Sequence, residues 1–255
     1  MILTAQGLGV ALWLCPKKNS QVHEKLTTLS QSITTLFPGQ PPKFEPHITI
    51  TTNVMIDLEN SEKTKDDVNR ILSSCVAAIS SLPKNHSNLV TLGRINSQRK
   101  YFKKLYFQVR RDPNLISFAQ IIRELFVILP SELDRENRRV NPHLFVQSKS
   151  KSKNKDIPTK PLETGPIRRR ATDEAAEWSI SEFDPHLSIV YSDLYPIDNA
   201  LWRTIKTRVQ DYLSIENCED EDLVDNGLTW DGGVLKLVLC EGDVADWITL
   251  GSVEV

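Results

Sequence analysis

One seven-residue phrase occurs twice in the chain, as "FEPHITI" at residues 44–50 and "FDPHLSI" at residues 183–189. Each copy reads Phe, an acid, Pro, His, an aliphatic residue, a hydroxyl residue and Ile. Only five histidines occur in 255 residues, so two in matched settings are a strong constraint. Both copies alternate apolar with polar residues, the period-two pattern of a half-buried strand. The proline before each histidine suits the first residue of a strand, where its missing N–H costs no ladder bond. The chain is therefore expected to open an equivalent strand in each half. The expected fold is α+β: a single bilobal domain over residues 1–255, with two pseudo-symmetric β-sheet lobes and outer helices around a central cleft.

The remaining segments fit that frame. "GVALWLC" reads as a first buried strand, and Val22, Leu26, Leu29, Ile33 and Leu36 as a helix stopped by "FPGQPP". Residues 65–82 carry a second apolar stripe, "NLVTLGRI" and "YFKKLYFQVR" read as strands, and a third stripe runs from Phe118 through Leu125 to Leu129. Residues 131–170 are rich in Lys, Arg, Ser and Pro. They are expected to be a basic, disordered insertion, because they bury too little apolar area to offset the entropy of ordering. They also lack the interleaved aromatics of a single-strand binding platform, so a solvated loop is favoured over an RNA contact. Beyond them, "HLSIVYS" is a strand, and Leu201, Ile205, Val209 and Tyr212 mark the inner face of a helix. "VLKLVLCEG" and "DWITLGSVEV" supply closing strands.

Composition narrows the partners. The balance of 31 basic against 33 acidic residues gives a net charge of -2. That excludes coating of a long polyanion and predicts no stable nucleic-acid partner, while a small anionic substrate stays open. The four scattered cysteines read as reduced thiols. The apolar N-terminus lacks a positively charged start and a cleavage site, and no segment reaches transmembrane length. A soluble, intracellular, cytoplasmic monomer is expected, with a peripheral Golgi association left open.

On a strand, residues i and i+2 share a face about 7 Å apart. His47 thus sits with Thr49, and His186 with Ser188. Converged, two imidazoles let one ring take a proton while the other gives one, and two hydroxyls donate to anionic oxygens. That set suits attack of water on a phosphodiester. For one copy alone, packing would be the better reading; the hydroxyl retained in both copies favours chemistry. Two histidines are too few for a metal centre and there is no H-E-x-x-H, so neither metal nor cofactor is expected. His143, in "NPHLF", follows a proline but has Phe145 in place of the hydroxyl and is not counted. His23 and His86 read as surface residues.

A histidine, any residue, then Thr or Ser, once in each half, is the signature of the two-histidine (2H) phosphoesterase superfamily. The phrases "ALWLCP", "FEPHIT", "ILSSCVAAI", "YFKKLYF", "FAQIIRELF", "FDPHLSIVYSDLYPI" and "CEGDVADW" resemble its fungal 2',3'-cyclic-nucleotide 3'-phosphodiesterase branch. The plant cyclic phosphodiesterases are more distant relatives. The resemblance runs from near residue 10 to near residue 250, except in the insertion. It implies metal-independent hydrolysis of nucleoside 2',3'-cyclic phosphates to nucleoside 2'-phosphates. It also implies opening of ADP-ribose 1'',2''-cyclic phosphate, from tRNA splicing, to ADP-ribose 1''-phosphate. By motif, His186 would be the base and His47 the acid, with Thr49 and Ser188 holding the phosphate. The resemblance puts Tyr191 beside the substrate, although strict alternation would turn it away, so the strand must end or bend there; core packing stays open. Trp13 either borders the cleft or packs in the core. Two alternatives remain: processing of RNA ends or 2'–5' linkages, with the insertion touching RNA, and a non-catalytic nucleotide-binding module.

Overall fold

The structure is a computed structural model that describes residues 9–83, 88–145, 158–193, 197–220, 223 and 226–255. In chain order the elements are β1 (Gly9–Cys15), α1 (Gln21–Thr34), β2 (Ile48–Thr51), α2 (Ser61–Ser81), β3 (Val90–Asn96) and β4 (Leu105–Val109). There follow α3 (Pro113–Arg123), α4 (Leu129–Val140), α5 (Thr164–Ser181), β5 (His186–Val190), α6 (Asn199–Leu213), β6 (Thr229–Trp230), β7 (Val234–Cys240) and β8 (Ile248–Glu254). Four helix starts are capped: the Ser20, Asn60, Asp112 and Asp198 side chains accept from the first free backbone N–H groups.

The two lobes share one antiparallel sheet, in the order β6-β3-β4-β5-β2-β1-β7-β8. They meet where β2 pairs with β5, with Ile48 opposite Leu187. The lobes are not the two halves of the sequence. One gathers β1 and β2 with the last strands β7 and β8, and the other takes β3 to β6. Helices cross the junction in matching fashion. Helix α1, which follows β1, lies on β5, and α3, which follows β4, lies on β2. The Ser30 hydroxyl donates to the Ile189 carbonyl at 2.9 Å, and Arg123 donates to the Thr51 hydroxyl and the Thr52 carbonyl, each at 3.1 Å.

All helices that touch the junction cover one face. Leu12, Leu14, Ile48, Ile50, Leu187, Ile189, Leu235 and Leu237 point into them and form the core. The alternate residues of β1 and β7 (Ala11, Trp13, Cys15, Val238 and Cys240) cluster on the opposite face, against Trp247. The cleft is therefore an open sheet face rimmed by loops, with the helices behind it. At Gly251 on β8 a Cβ would meet Val68 Cγ1 of α2 at 2.4 Å, so this strand approaches its helix more closely than any side chain permits.

The segment expected to be disordered is partly helical. Residues 131–140 continue α4 beyond Pro130, because a π turn over Glu124–Ile128 joins α3 to α4 without a break. Proline at 130 leaves the Phe126 carbonyl without its helical donor, and the Met55 N–H supplies one at 2.9 Å. The extra residue in the π turn rotates the stripe, which leaves Leu125 exposed instead of inward. Residues 164–170 begin α5, a helix not anticipated. Its buried side are Ile167, Ala171, Ala175 and Ser179, a stripe of mostly small residues with little hydrophobic signal. Buried Glu132 pins α4 to α5 through Arg170 at 3.2 Å and also pairs with Arg135. Residues 146–157 of the expected insertion, and His86, lie outside the described residues. The run Pro113–Val140 is long and apolar enough to cross a membrane, contrary to the expectation of no such segment. Its apolar side, with Leu115, Phe118 and Ile122 fully buried, faces the sheet and α5.

Smaller expectations also shift. Residues 101–103 form a 3-10 turn, so only Leu105–Val109 of "YFKKLYFQVR" is strand. Tyr212 is largely exposed, and Leu213 takes the inner position on α6. Leu187→Ala, which empties a fully buried site at the lobe junction, is expected to lower the unfolding free energy by about 2–5 kcal/mol in urea titration.

Candidate active site

The junction pair sets the geometry of both motifs. With Ile48 opposite Leu187 and the strands antiparallel, one step either way sets His47 opposite Ser188 and Thr49 opposite His186. Ile48 and Leu187 point to the core, so the four polar side chains share the open face. Each histidine thus neighbours the hydroxyl of the other copy as well as that of its own. The next strands repeat the relation: Trp13 of β1 stands opposite Thr49, and Tyr106 of β4 opposite Ser188.

Both rings are held alike. The Nδ1 of His47 lies 2.7 Å from the Glu45 carbonyl oxygen, and that of His186 lies 2.8 Å from the Asp184 carbonyl. A carbonyl only accepts, so Nδ1 carries the proton and Nε2 is left to face the cleft. The acids are themselves anchored. Glu45 pairs with Lys236, and Asp184 with Lys103 at 2.5 Å. Pro46 and Pro185, both buried, fix the chain between acid and histidine.

The surroundings then diverge. His47 is buried, stacked on Trp13 with centroids 3.7 Å apart and planes 11° apart. The Tyr191 hydroxyl lies 3.4 Å from its Nε2. β5 ends at Val190, which frees Tyr191 from alternation; its ring stacks on Phe44 at 3.9 Å. His186 is half-buried and meets Tyr106 edge-on at 5.4 Å. Burial lowers the His47 pKa from 6.5 to about 4; the bond to the Glu45 carbonyl works against this and the charge of His186 adds to it. Burial likewise lowers that of His186, helped by Lys103 and opposed by its bond to the Asp184 carbonyl. Burial also raises the Tyr191 phenol, so it stays protonated.

The motif hydroxyls differ too. Ser188 is buried and donates to the Phe102 carbonyl at 2.7 Å, whereas Thr49 is half-buried beside Trp13. Phe102 and Trp247 complete the rim, with ring centroids 6.0 Å apart. Trp247 also lies 5.9 Å from Trp13 and 6.3 Å from Tyr191. Among the described residues no three His, Cys, Asp or Glu side chains gather as a metal-binding group. Cys15 and Cys240 are free and buried within the cluster on this face, and burial pushes both thiols up to about 12.

A family model of cyclic phosphodiesterase-like proteins matches residues 8–255, nearly the whole chain. The chain belongs to this family. It is 62% identical over 235 residues to a Debaryomyces hansenii protein named 2',3'-cyclic-nucleotide 3'-phosphodiesterase, covering 89% of this chain and 99% of that one. A Candida albicans protein of the same name is 55% identical, with 97% of this chain and all of that one covered. A Saccharomyces cerevisiae protein, also so named, is 29% identical, over 97% and 100%.

Within this family member the two motifs, Tyr191 and Trp13 come together as one group. His143 sits apart in a 3-10 turn after α4. His23, expected on the surface, is half-buried, with its Nε2 4.0 Å from Glu45. Sequence reasoning overlooked Phe44, Phe102, Tyr106, Trp247 and the two lysines. Lys236 did leave a signal: a lysine amid the apolar alternation of "VLKLVLC" must face something polar.

The histidine shifts predict a pH dependence of stability. Above pH 6.5 both folded and unfolded states hold neutral imidazole. As pH falls from 6.5 toward 4, the unfolded chain takes up a proton that folded His47 refuses, so stability is lost across that window. The contribution of His47 is about 3 kcal/mol, read as the extra acid sensitivity of the wild type over His47→Gln in urea titrations at pH 7 and pH 4.

Proposed function

We propose that the protein hydrolyses nucleoside 2',3'-cyclic phosphates to nucleoside 2'-phosphates by acid/base catalysis between His186 and His47. The observation that supports this reading is the crosswise pairing at the junction, which brings both histidines and both hydroxyl residues onto one open face. The names of the fungal relatives agree with it. His186 takes a proton from water as the water oxygen bonds to phosphorus. The bond from phosphorus to O3' breaks, and His47 gives its proton to that oxygen, leaving the phosphate on O2'. Thr49 and Ser188 hold the non-bridging oxygens; Ser188 must turn from the Phe102 carbonyl to do so. Tyr191 keeps its proton and orients His47 from the cleft side. Two imidazoles, two hydroxyls and a phenol are a donor set for moving protons. The same chemistry extends to ADP-ribose 1'',2''-cyclic phosphate, another vicinal cyclic diester on a ribose, and so to by-products of tRNA splicing.

Burial favours the neutral form of both rings in the free protein, whereas this reaction needs His47 charged, against the stronger pull of its burial. An anionic diester seated between them favours the charged form, so the second proton arrives with the substrate. kcat/KM should therefore be bell-shaped with its optimum below pH 6.5, and the kcat profile should lie at higher pH. In excess chelator, His47→Ala and His186→Ala should each lower kcat by roughly 10²–10⁴-fold. Phosphorus NMR should show the 2'-phosphate as product. No turnover by the wild type, or full turnover in either variant, would sink the proposal.

A further inference from the structure

The 3-10 turn Tyr101–Lys103 lies along the second motif and holds it at three points. The Lys103 ammonium pairs with the Asp184 carboxylate at 2.5 Å, two residues before His186. The Phe102 carbonyl accepts from the Ser188 hydroxyl at 2.7 Å, two residues after it. The Tyr101 carbonyl accepts from the Ser192 N–H at 3.2 Å, beyond the end of β5. The segment that carries His186 is thus fixed on both sides of the ring. The turn itself is closed by the Gln98 N–H, which donates to the Lys103 carbonyl at 2.9 Å.

Lys103 differs from the other two contacts in acting through its side chain. That side chain is largely buried at 17% exposure, while the partner acid is 59% exposed. An ion pair so open to water adds little to folding stability, so its consequence lies in what it orients. The ammonium also lies 5.7 Å from the centroid of the Tyr106 ring, which meets His186 edge-on at 5.4 Å. Lys103 therefore touches both neighbours that set the His186 ring: Tyr106 at its edge, and Asp184, whose carbonyl holds Nδ1 at 2.8 Å. Among the described residues, Lys103 lowers the proton affinity of His186 and Asp184 raises it, while His47 and His186 oppose each other's charge across the junction. On β4, neutral Gln108 stands opposite His186 and accepts from Arg94 at 2.9 Å.

We propose that Lys103 is a positioning residue for His186: by fixing Asp184 on one side and Tyr106 on the other, it holds the ring with Nδ1 on the carbonyl and Nε2 toward the cleft. The inference rests on the proposed role of His186 as base, since a base works only when its free nitrogen points at the water it deprotonates. A ring that turns off that line loses rate although the residue is still present. Lys103 lies outside the repeated phrase, as does Lys236, which pairs with Glu45 from β7 in the first lobe. The same anchoring is thus reached twice, from a turn in one lobe and a strand in the other, as a shared requirement of the two rings would produce.

The test uses Lys103→Met, Lys103→Arg and Asp184→Asn, the last of which keeps the carbonyl at 184 and removes the charge. Lys103→Met is expected to lower kcat for adenosine 2',3'-cyclic phosphate about tenfold with KM within about twofold, and Lys103→Arg to recover most of that loss. Nitrogen NMR should find His186 as the Nδ1–H tautomer in the wild type and as a mixture of tautomers in Lys103→Met. The pKa of His186 from the same spectra should rise in Lys103→Met and fall in Asp184→Asn. Urea midpoints of all three should stay near that of the wild type. An unchanged kcat in Lys103→Met, a loss carried by KM alone, or His186 titrations that move the same way in Lys103→Met and Asp184→Asn overturn the inference. If Lys103→Met does not fold, Asp184→Asn, a change at an exposed carboxylate, carries the test: a mixture of His186 tautomers supports the inference and an unchanged tautomer overturns it. Hydrolysis by no form, the wild type included, overturns the functional reading first, and the tautomer then still decides whether Lys103 holds the ring.

Discussion

The site depends on one backbone pairing. β2 and β5 are short, and Ile48 opposite Leu187 is the register that joins them. A slip of one residue in either strand would send its histidine and hydroxyl into the helices and bring core residues to the open face. The penalty for that slip lies on the other side of the sheet, where Ile48, Ile50, Leu187 and Ile189 are all fully or nearly fully buried. The apolar residues of the motif therefore hold the register, and the polar ones follow. Helices α1 and α3 secure the pairing from behind, each crossing to the strand of the other lobe with hydrogen bonds of its own.

Much of this was legible because period-two alternation and a repeated phrase are local signals. Both motifs, the faces they use and nearly all the strands could be read from the residues themselves. The misses have physical causes. Helix α5 buries alanines and a serine, so it carries almost no apolar periodicity. Helix α4 continues through Pro130 because a π turn and the Met55 N–H accommodate what proline removes. The assembly of each lobe from separated stretches of chain is a long-range fact with no local trace. The same holds for the rim: Phe102 lies in one 3-10 turn and Trp247 directly follows another, far apart in sequence, and only the folded sheet brings their ring centroids to 6.0 Å.

Two identical imidazoles on one face would titrate as a coupled pair, in two steps that belong to both rings. The repeat supplies the part that should be equal: the Nδ1 bond to a carbonyl, the proline, the lysine-anchored acid and the hydroxyl. The differences lie in what closes over each ring. Trp13 lies flat on His47 while Tyr106 meets His186 edge-on. Phe44 stacks on Tyr191 at the rim, whereas Phe183, its counterpart in the second copy, is buried against Trp178. Tyr191 reaches His47 Nε2, and the charge of Lys103 bears on His186. A duplicated scaffold thus sets two like groups side by side on one sheet face, and unlike aromatic covers bury them to different degrees, an asymmetry that the repeat itself does not supply.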